Sequence, residues 1–267
     1  MNSKEIFFQK VNSGKHICVG LDTDLDKIPK YLLKYADPVY EFNRIIIDST
    51  IELAGAYKFN FAFYECYGIK GIETLKKSIE YIGDRNFIIG DAKRGDIGNT
   101  SKMYAKSLFD YFGVDASTVN PYMGLDSVEP FLTYSDKINF ILVLTSNKSS
   151  ADFQKIKTEN GNYFYQEVLK KVTEWNAKEN CGIVFGATHT GEFKLNLPQF
   201  NDIPLLIPGV GAQGGDLKAL VELLRGNNYK NFLINSSRGI IYKDSSENFG
   251  MVANEEIRQL TEIISPP

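Results

Sequence analysis

Four charged residues lie close together in the stretch GDAKRGDIGNT, residues 90–100. Asp91, Lys93, Arg94 and Asp96 place two acids and two bases within six positions, after the apolar run NFII at residues 86–89. Burying such charges costs several kcal/mol per ion unless they pair well, so a fold that keeps them there is expected to use them. The stretch therefore predicts a functional cluster, and the alternative is a solvated turn whose charges never meet.

A lysine in the preceding apolar run supports the cluster. Lys58 and Asn60 lie two positions apart, as Asp91 and Lys93 do. Side chains alternate between the two faces of a strand, so each pair points to one side. If that side is inward, neighbouring strands bring Lys58, Asp91 and Lys93 together. Asp96 precedes a helical segment, where it could act as an N-cap and still belong to the cluster.

A glycine-rich stretch, IPGVGAQGGD at residues 207–216, is the second candidate binding element. Glycines let backbone N–H groups approach an oxyanion closely, and the helix predicted after them adds its positive N-terminal end. Arg238, in NSSRGIIY at residues 235–242, can add a bidentate grip on a phosphate. Together these stretches predict a phosphorylated ligand, with an ordinary turn as the alternative for the glycines.

Eight apolar runs of strand length, bounded by turn residues, would position these side chains. They cover residues 16–22, 56–61, 86–91, 116–120, 139–145, 181–187, 204–210 and 232–236. Segments with helical periodicity alternate with them, for example at residues 39–53, 72–82, 100–112, 163–178, 217–224 and 249–264. Strands that alternate with helices in this way are typical of a covered parallel sheet.

This alternation over about 250 residues predicts an α/β fold, the (β/α)8 TIM barrel, with a doubly wound open sheet as the rival. No composition shift or linker divides the chain, so we expect a single domain over residues 1–267. Residues 2–12 predict an extra N-terminal helix that could plug the bottom of the barrel. The long polar stretch 147–160 after the fifth strand is a candidate lid or a mobile surface loop.

Composition narrows the classes of partner. A net charge of -3 with interspersed signs gives no field that would favour nucleic acid or a membrane surface, and the apolar runs are far too short to cross a bilayer. Three widely spaced cysteines indicate free thiols in a reducing compartment, so we expect a cytoplasmic protein. The two histidines lack ligand spacing for a zinc site, and any metal would need carboxylates.

The chain resembles the orotidine 5'-monophosphate decarboxylase family. The matching stretches occur in order over nearly the whole chain: VGLDTD, YKFNFAFYE, IGDAKRGDIGNT, TVNPYMGLDSVEPF, LTSN, PGVGAQGGD and NSSRGI. The pattern Asp-x-Lys-x-x-Asp-Ile-x-x-Thr is highly specific, and KFNFAFYE with NPYMGLDSVEPF resembles the bacterial subfamily with the longer loop after strand five. The resemblance implies conversion of orotidine 5'-monophosphate (OMP) to UMP, the last step of UMP synthesis. It also implies that no cofactor or metal takes part and that the active sites lie at the interface of a homodimer.

The resemblance also implies a role for each matching residue. Lys58, Asp91, Lys93 and Asp96 would form the alternating charge network, with Asp96 reaching into the partner's site. The remaining matches would bind substrate: Asp22 with Lys58 and Asn60 at the ribose, Ile97 and Pro208 at the base, Thr100 beside Asp96, Ser146 at the pyrimidine edge, Gln213 and Arg238 at the phosphate, and Asn120.

The implied reaction suits a fixed cation. Loss of CO2 from C6 leaves a vinyl carbanion with no good internal electron sink, and Lys93 could stabilise that charge and then protonate C6. Two alternatives remain. The related 3-keto-L-gulonate 6-phosphate decarboxylases use Mg²⁺ and carry an acid where this chain has Lys58. A noncatalytic nucleotide-binding protein on the same scaffold would be expected to lack part of the charged set, yet all four positions are present.

Overall fold

Eight parallel strands close into one barrel in the computed structural model, which describes residues 1–210 and 216–264. Each strand pairs with the next, and the last returns to the first through Ile17 and Ile234. The strands are β1 (Ile17–Gly20), β2 (Ala56–Asn60), β3 (Phe87–Arg94), β4 (Ala116–Val119), β5 (Ile138–Leu144), β6 (Cys181–Phe185), β7 (Leu205–Ile207) and β8 (Phe232–Ser236). The predicted TIM barrel is confirmed, and the open sheet is excluded because the first and last strands pair.

Helices alternate with the strands along the chain. The longer ones are α1 (Ser3–Asn12), α2 (Pro38–Thr50), α4 (Gly68–Ile82), α5 (Gly98–Lys106), α6 (Leu125–Leu132), α7 (Phe164–Trp175), α9 (Leu217–Gly226) and α11 (Phe249–Ile264). Shorter ones are α3 (Ala62–Glu65), α8 (Thr190–Asn196) and α10 (Arg238–Ile241). A wide turn over Ser107–Phe112 continues α5, so the predicted helical segment 100–112 is present as two joined pieces.

α6 carries a proline, a residue that helix interiors normally exclude. Pro130 lies inside that helix, and a proline normally marks a helix boundary because it lacks an N–H and its ring crowds the preceding turn. α6 nevertheless forms because it buries Val128, Phe131 and Leu132 against the barrel. Tertiary packing outweighs the local penalty here.

α1 closes the bottom of the barrel, as the extra N-terminal helix was predicted to do. Its N-terminus carries a capping box between Asn2 and Glu5. Phe7 and Val11 are buried in the barrel interior, together with side chains such as Cys18 and Phe87. The strands thus have an apolar plug at their N-terminal ends.

A second core lies between the strands and the surrounding helices. Phe42 of α2 stacks on Phe249 of α11 with ring centroids 4.9 Å apart, and Leu75 of α4 belongs to the same cluster. This layer packs the helices against the barrel and so supports the loops at the C-terminal ends of the strands.

Within residues 1–210 and 216–264, no helix is long and apolar enough to cross a membrane.

Candidate active site

A cavity of about 370 Å³ opens where the strands end, on the side opposite α1. Every strand of the barrel contributes at its C-terminal end or in the residues just beyond it. The lining residues are Asp22, Lys58, Asn60, Asp91, Lys93, Thr118, Leu142, Thr145, Ser146, Asn147, Val184, Leu206, Pro208 and Asn235. A cavity of this size at this end of a TIM barrel is the expected place for a small-molecule site.

A charged array occupies one part of the cavity. Lys58 Nζ lies 2.7 Å from Asp91 Oδ2, and Lys93 Nζ lies 2.7 Å from Asp91 Oδ1. Lys58 Nζ also lies 3.5 Å from Asp22 Oδ1. The contacts among Lys58, Asp91 and Lys93 are those predicted from the alternation of strand faces, and Asp22, predicted only as a ribose ligand, supplies the second carboxylate.

The two lysines differ in their exposure to solvent. The side chain of Lys58 is 6% exposed and that of Asp91 is 7% exposed, whereas that of Lys93 is 49% exposed. The backbone of β3 explains this difference. The alternation of its side chains between the two faces stops at Lys93, where φ is +46°. The left-handed turn brings the ammonium of Lys93 back to Asp91 at the mouth of the cavity.

Thr118 of β4 holds this turn, and the sequence reading did not single it out. Its hydroxyl donates to Asp91 Oδ1 at 2.8 Å and accepts from the backbone N–H of Lys93 at 2.9 Å. The spacing of Thr118 and Asn120 follows the same period of two that identified the other pairs. That spacing is the sequence signal that could have indicated Thr118.

Electrostatics keep the inner pair ionised. Burial by itself would raise the pKa of Asp91, but the charges and hydrogen bonds of Lys58 and Lys93 outweigh it, so its pKa falls well below the ordinary range. Burial opposes the charge of Lys58 as well, yet the carboxylates of Asp91 and Asp22 raise its pKa. Lys58 and Asp91 therefore stay a charged pair across the physiological pH range.

Comparison with known proteins identifies the family. A sequence model described as "Orotidine 5'-phosphate decarboxylase / HUMPS family" matches residues 15–248. A protein from Parabacteroides distasonis named orotidine 5'-phosphate decarboxylase is 48% identical over 258 residues, which cover 96% of this chain and 92% of that protein. The chain belongs to the orotidine 5'-phosphate decarboxylase / HUMPS family. This confirms the family predicted from the sequence motifs, whereas the subfamily with a longer loop stays a prediction.

Solved structures of this family agree with the barrel. The Leishmania donovani OMP decarboxylase superposes with a TM-score of 0.84 at 33% identity and covers 99% of both chains. The Leishmania donovani UMP synthase superposes with a TM-score of 0.86 at 34% identity, and the match covers 99% of this chain but 57% of that protein. Of the UMP synthase, only the part that this chain spans is therefore comparable.

The predicted site residues divide into those that line the cavity and those that do not. The structure brings seven of the predicted site residues to the cavity: Asp22, Lys58, Asn60, Asp91, Lys93, Ser146 and Pro208. Five other predicted residues do not line it: Asp96, Ile97, Thr100, Asn120 and Arg238. Gln213 lies outside the described residues.

Asp96 and Asn120 have local partners. Asp96 Oδ1 accepts a hydrogen bond from the N–H of Ile97, and α5 begins only at Gly98, with Ile97 in the N-cap position. Asn120 donates its backbone N–H to the carbonyl of Arg94, and its side-chain oxygen accepts from the N–H of Tyr122. Both residues therefore shape the loop that leaves the strand ends.

Arg238 lies near the cavity but does not line it. It is exposed at the first position of α10, three residues beyond Asn235 on β8. Asn235, whose amide was not predicted, lines the cavity. In the described residues no group of three or more His, Cys, Asp or Glu side chains is arranged to hold a metal ion.

Proposed function

We propose that the chain decarboxylates OMP to UMP and that Lys93 protonates C6. The carboxy-lyase activity and its place in pyrimidine biosynthesis follow from the full-length similarity to orotidine 5'-phosphate decarboxylases. One observation supports the assignment of roles to residues: Lys58, Asp91 and Lys93 form a contiguous array of ion pairs at the wall of the cavity. We further propose that residues 1–267 form one catalytic domain.

The array can perform the chemistry with its own charges. As the bond from C6 to the carboxylate breaks, the electron pair stays on C6 and CO2 leaves. The ammonium of Lys93 stabilises that pair electrostatically and then transfers a proton to C6, which leaves a neutral amine. Because the Lys93 side chain is about half exposed, solvent can return the proton after UMP departs.

Asp91 and Lys58 prepare this step. Asp91 accepts from Lys93 at 2.7 Å and so fixes the position of the ammonium before substrate binds. Lys58 holds the other oxygen of Asp91 and keeps that carboxylate charged. A charge that is already in place need not reorganise during the reaction, which is the source of electrostatic rate enhancement.

Substrate contacts follow from the rest of the cavity wall. Asp22 and Asn60 lie beside the array and are proposed to bind the ribose hydroxyls together with Lys58. Ser146 and Pro208 are proposed to contact the edge and the face of the pyrimidine. Gln213 and Arg238 are proposed to bind the phosphate, whose affinity can orient the reacting carbon from a distance.

A divalent cation does not fit this charge arrangement. Each carboxylate oxygen of Asp91 already lies 2.7 Å from an ammonium group, so a cation placed there would meet two positive charges. This observation favours the metal-independent decarboxylase over the Mg²⁺-dependent sugar-phosphate enzymes of the same family.

Asp96, Ile97 and Thr100 are proposed to complete the site of a partner subunit in a homodimer. They lie beyond β3, do not line their own cavity, and belong to a surface with exposed apolar side chains. That surface includes Ile97, Met103, Tyr122, Met123 and Leu125, which lie on or next to α5 and α6. An apolar patch of this kind is typical of a protein interface.

The cytoplasmic location predicted from the three cysteines remains part of this proposal.

The first test is turnover of OMP by the purified chain with EDTA present. We expect the OMP absorbance to fall and UMP to accumulate at the same rate with and without the chelator. Added Mg²⁺ should give no increase. An absence of turnover in EDTA that Mg²⁺ restores would refute the metal-independent mechanism.

The second test mixes inactive variants. Lys93→Ala and Asp96→Ala chains are each expected to be inactive alone, but a mixed dimer has one intact site. Random pairing in a two-fold dimer then restores about a quarter of the wild-type activity. The matched control mixes Lys93→Ala with a chain that carries both substitutions, which leaves no intact site. Equal activity in the two mixtures would contradict the shared site.

A further inference from the structure

The peptide that follows β5 is held from several sides. β5 ends at Leu144, so the backbone groups of Thr145 no longer belong to the sheet. Thr145 donates its N–H to Gln154 Oε1 at 2.8 Å, and its carbonyl accepts from His189 Nε2 at 2.9 Å. Buried backbone groups need such partners once a strand ends. Two side chains from outside β5 thus fix the peptide that leads into Ser146.

Gln154 makes a second bond to the same residue. Its Nε2 donates to Thr145 Oγ1 at 2.9 Å, and Thr145 Oγ1 in turn donates to Asn147 Oδ1 at 2.7 Å. The amide therefore contacts both the backbone and the side chain of Thr145. Thr145, Ser146 and Asn147 all line the cavity, whereas Gln154 does not.

The segment that carries Gln154 is itself anchored. Gln154 donates its N–H to the carbonyl of Ser150, and its carbonyl accepts from Tyr165 at the start of α7. Lys155 pairs with Glu192 of α8. Part of the predicted lid segment, residues 147–160, therefore folds back onto the end of β5 and is tied to two helices.

The β6 side completes the enclosure of Ser146. Thr188 Oγ1 donates to the carbonyl of Ser146 at 3.1 Å, and a Cβ added to Gly186 would lie 2.7 Å from the Cα of Ser146. The backbone of Ser146 consequently has little room to move toward β6. Gln154 acts from the other direction, through Thr145.

We propose that Gln154 is a positioning residue that sets the affinity for the pyrimidine base by fixing Thr145 and Ser146. The inference rests on the proposed function, in which Ser146 contacts the base edge. Gln154 does not touch the substrate. Its loss should weaken a ligand that has a base, and should leave a ligand that has only the sugar phosphate almost unchanged.

The experiment compares two ligands by calorimetry or competitive inhibition: UMP, and ribose 5-phosphate, which lacks the base. Gln154→Met keeps the length of the side chain and removes its hydrogen bonds to the backbone and the hydroxyl of Thr145. Because a neutral hydrogen bond contributes about 1 kcal/mol and 1.4 kcal/mol is tenfold, we expect UMP to bind about three- to tenfold more weakly. Ribose 5-phosphate should change less than about twofold, because it makes no contact with Ser146.

Gln166 offers a matched control in the same region. Its Oε1 accepts from the N–H of Tyr163, and its Nε2 donates to Asn196, so Gln166→Met also removes two side-chain hydrogen bonds. The first bond caps α7 and the second joins α7 to α8, so neither reaches the end of β5. Gln166→Met should alter thermal stability without changing the ratio of the two affinities. Gln154→Glu, which keeps an oxygen acceptor for Thr145, should restore most of the UMP affinity.

The possible results distinguish a failure of the positioning role of Gln154 from a failure of the proposed decarboxylase activity. Equal weakening of both ligands in Gln154→Met, or no weakening of UMP, would overturn the positioning role. If Gln154→Met does not fold, Gln154→Asn, which is one methylene too short to reach Thr145, takes its place with the same expectations. The proposed function is judged by wild-type turnover of OMP alone. A wild-type chain that binds UMP without turning over OMP would refute the decarboxylation and still allow the ratio of affinities to be measured.

Discussion

The two ends of the barrel are built from the same strands but are organised in opposite ways. At the bottom, Phe7 of α1 is 1% exposed and packs in the barrel interior with Phe87 and Ile89 of β3. At the top, the same strand carries Asp91 and Lys93 into an open cavity of about 370 Å³. One end is filled with apolar side chains, and the other end holds ion pairs at the wall of a cavity.

The difference shows how stability and chemistry are divided along a strand. Apolar burial at the bottom stabilises the fold at roughly 25 cal/mol per Å². A buried ion pair such as Lys58 and Asp91 gives little net stability, because desolvation offsets the attraction, but breaking it is costly. We therefore expect substitutions at the bottom to change stability alone, whereas the effect of those at the top depends on which lysine is changed.

Lys93→Ala should give the largest effect and confine it to catalysis. It removes both the cation that stabilises C6 and the proton donor, so turnover should fall at least about 10⁴-fold. UMP affinity and the free energy of unfolding should change little, because the side chain is half exposed and Asp91 keeps Lys58. Turnover and chemical denaturation of the same preparation check both parts. Near-normal turnover would remove Lys93 from the reaction.

Lys58→Ala should lower stability as well as activity. It leaves Asp91 buried beside Asp22 with Lys93 as the remaining cation, and removing one member of a buried pair costs about 3–5 kcal/mol. Urea unfolding measures the loss. Lys171→Ala is the matched control, since Lys171 and Glu174 form an exposed pair whose loss should change the free energy of unfolding very little. A cost for Lys58→Ala no larger than that of the control would mean that the array is not a buried unit.

Phe7→Ala tests the other end of the barrel. Truncating a fully buried phenylalanine should cost about 3 kcal/mol of unfolding free energy, while kcat and KM stay within about twofold below the unfolding transition. Gln9→Ala on the exposed side of α1 should change neither property. A large fall in kcat for folded Phe7→Ala would show that the two ends of the barrel are coupled and that stability and chemistry are not separated along the strands.

The barrel could be predicted from the sequence because the patterns that indicate its strands and helices are local. Each strand is a short apolar run between turn residues, and α11 was predicted with its observed bounds, residues 249–264. The array was predictable because Lys58 and Asp91 follow the alternation of strand faces. Thr118 and Gln154 were not, because their roles depend on which strand ends meet in space and on how a nine-residue return brings an amide back to Thr145.

Lys93 meets Asp91, as the alternation of strand faces predicted, but strict alternation explains this position only in part. Strict alternation would put its side chain on the same face as that of Asp91, but the residue adopts φ of +46° and leaves the regular strand. Thr118 stabilises this conformation by accepting the Lys93 N–H. Backbone conformations of this kind depend on long-range partners, so a pattern of residue types cannot specify them.

The pH dependence of stability gives the smallest expected effect and isolates the bottom of the barrel. His16 precedes β1, stacks on Phe232 with ring centroids 4.1 Å apart, and contacts the carbonyl of that residue through Nδ1 at 3.0 Å. Burial lowers its pKa, and the hydrogen bond to Phe232 opposes that shift only in part. In the unfolded chain His16 binds a proton with the ordinary pKa of about 6.5. In the folded chain the same proton binds only at lower pH. The contribution of His16 is therefore present above about pH 6.5 and is lost as the pH falls through the folded pKa.

His16→Gln removes this titration and leaves every other ionisable group in place. The difference in unfolding free energy between wild type and variant should be largest near pH 7.5 and should shrink toward pH 5. Carboxylates such as Asp91 titrate in both chains, so their effect cancels in the difference. A difference that stays constant over this range would mean that His16 titrates alike in the folded and unfolded states. Burial at the plugged end would then have no part in the pH response, which would have to come from the charged end.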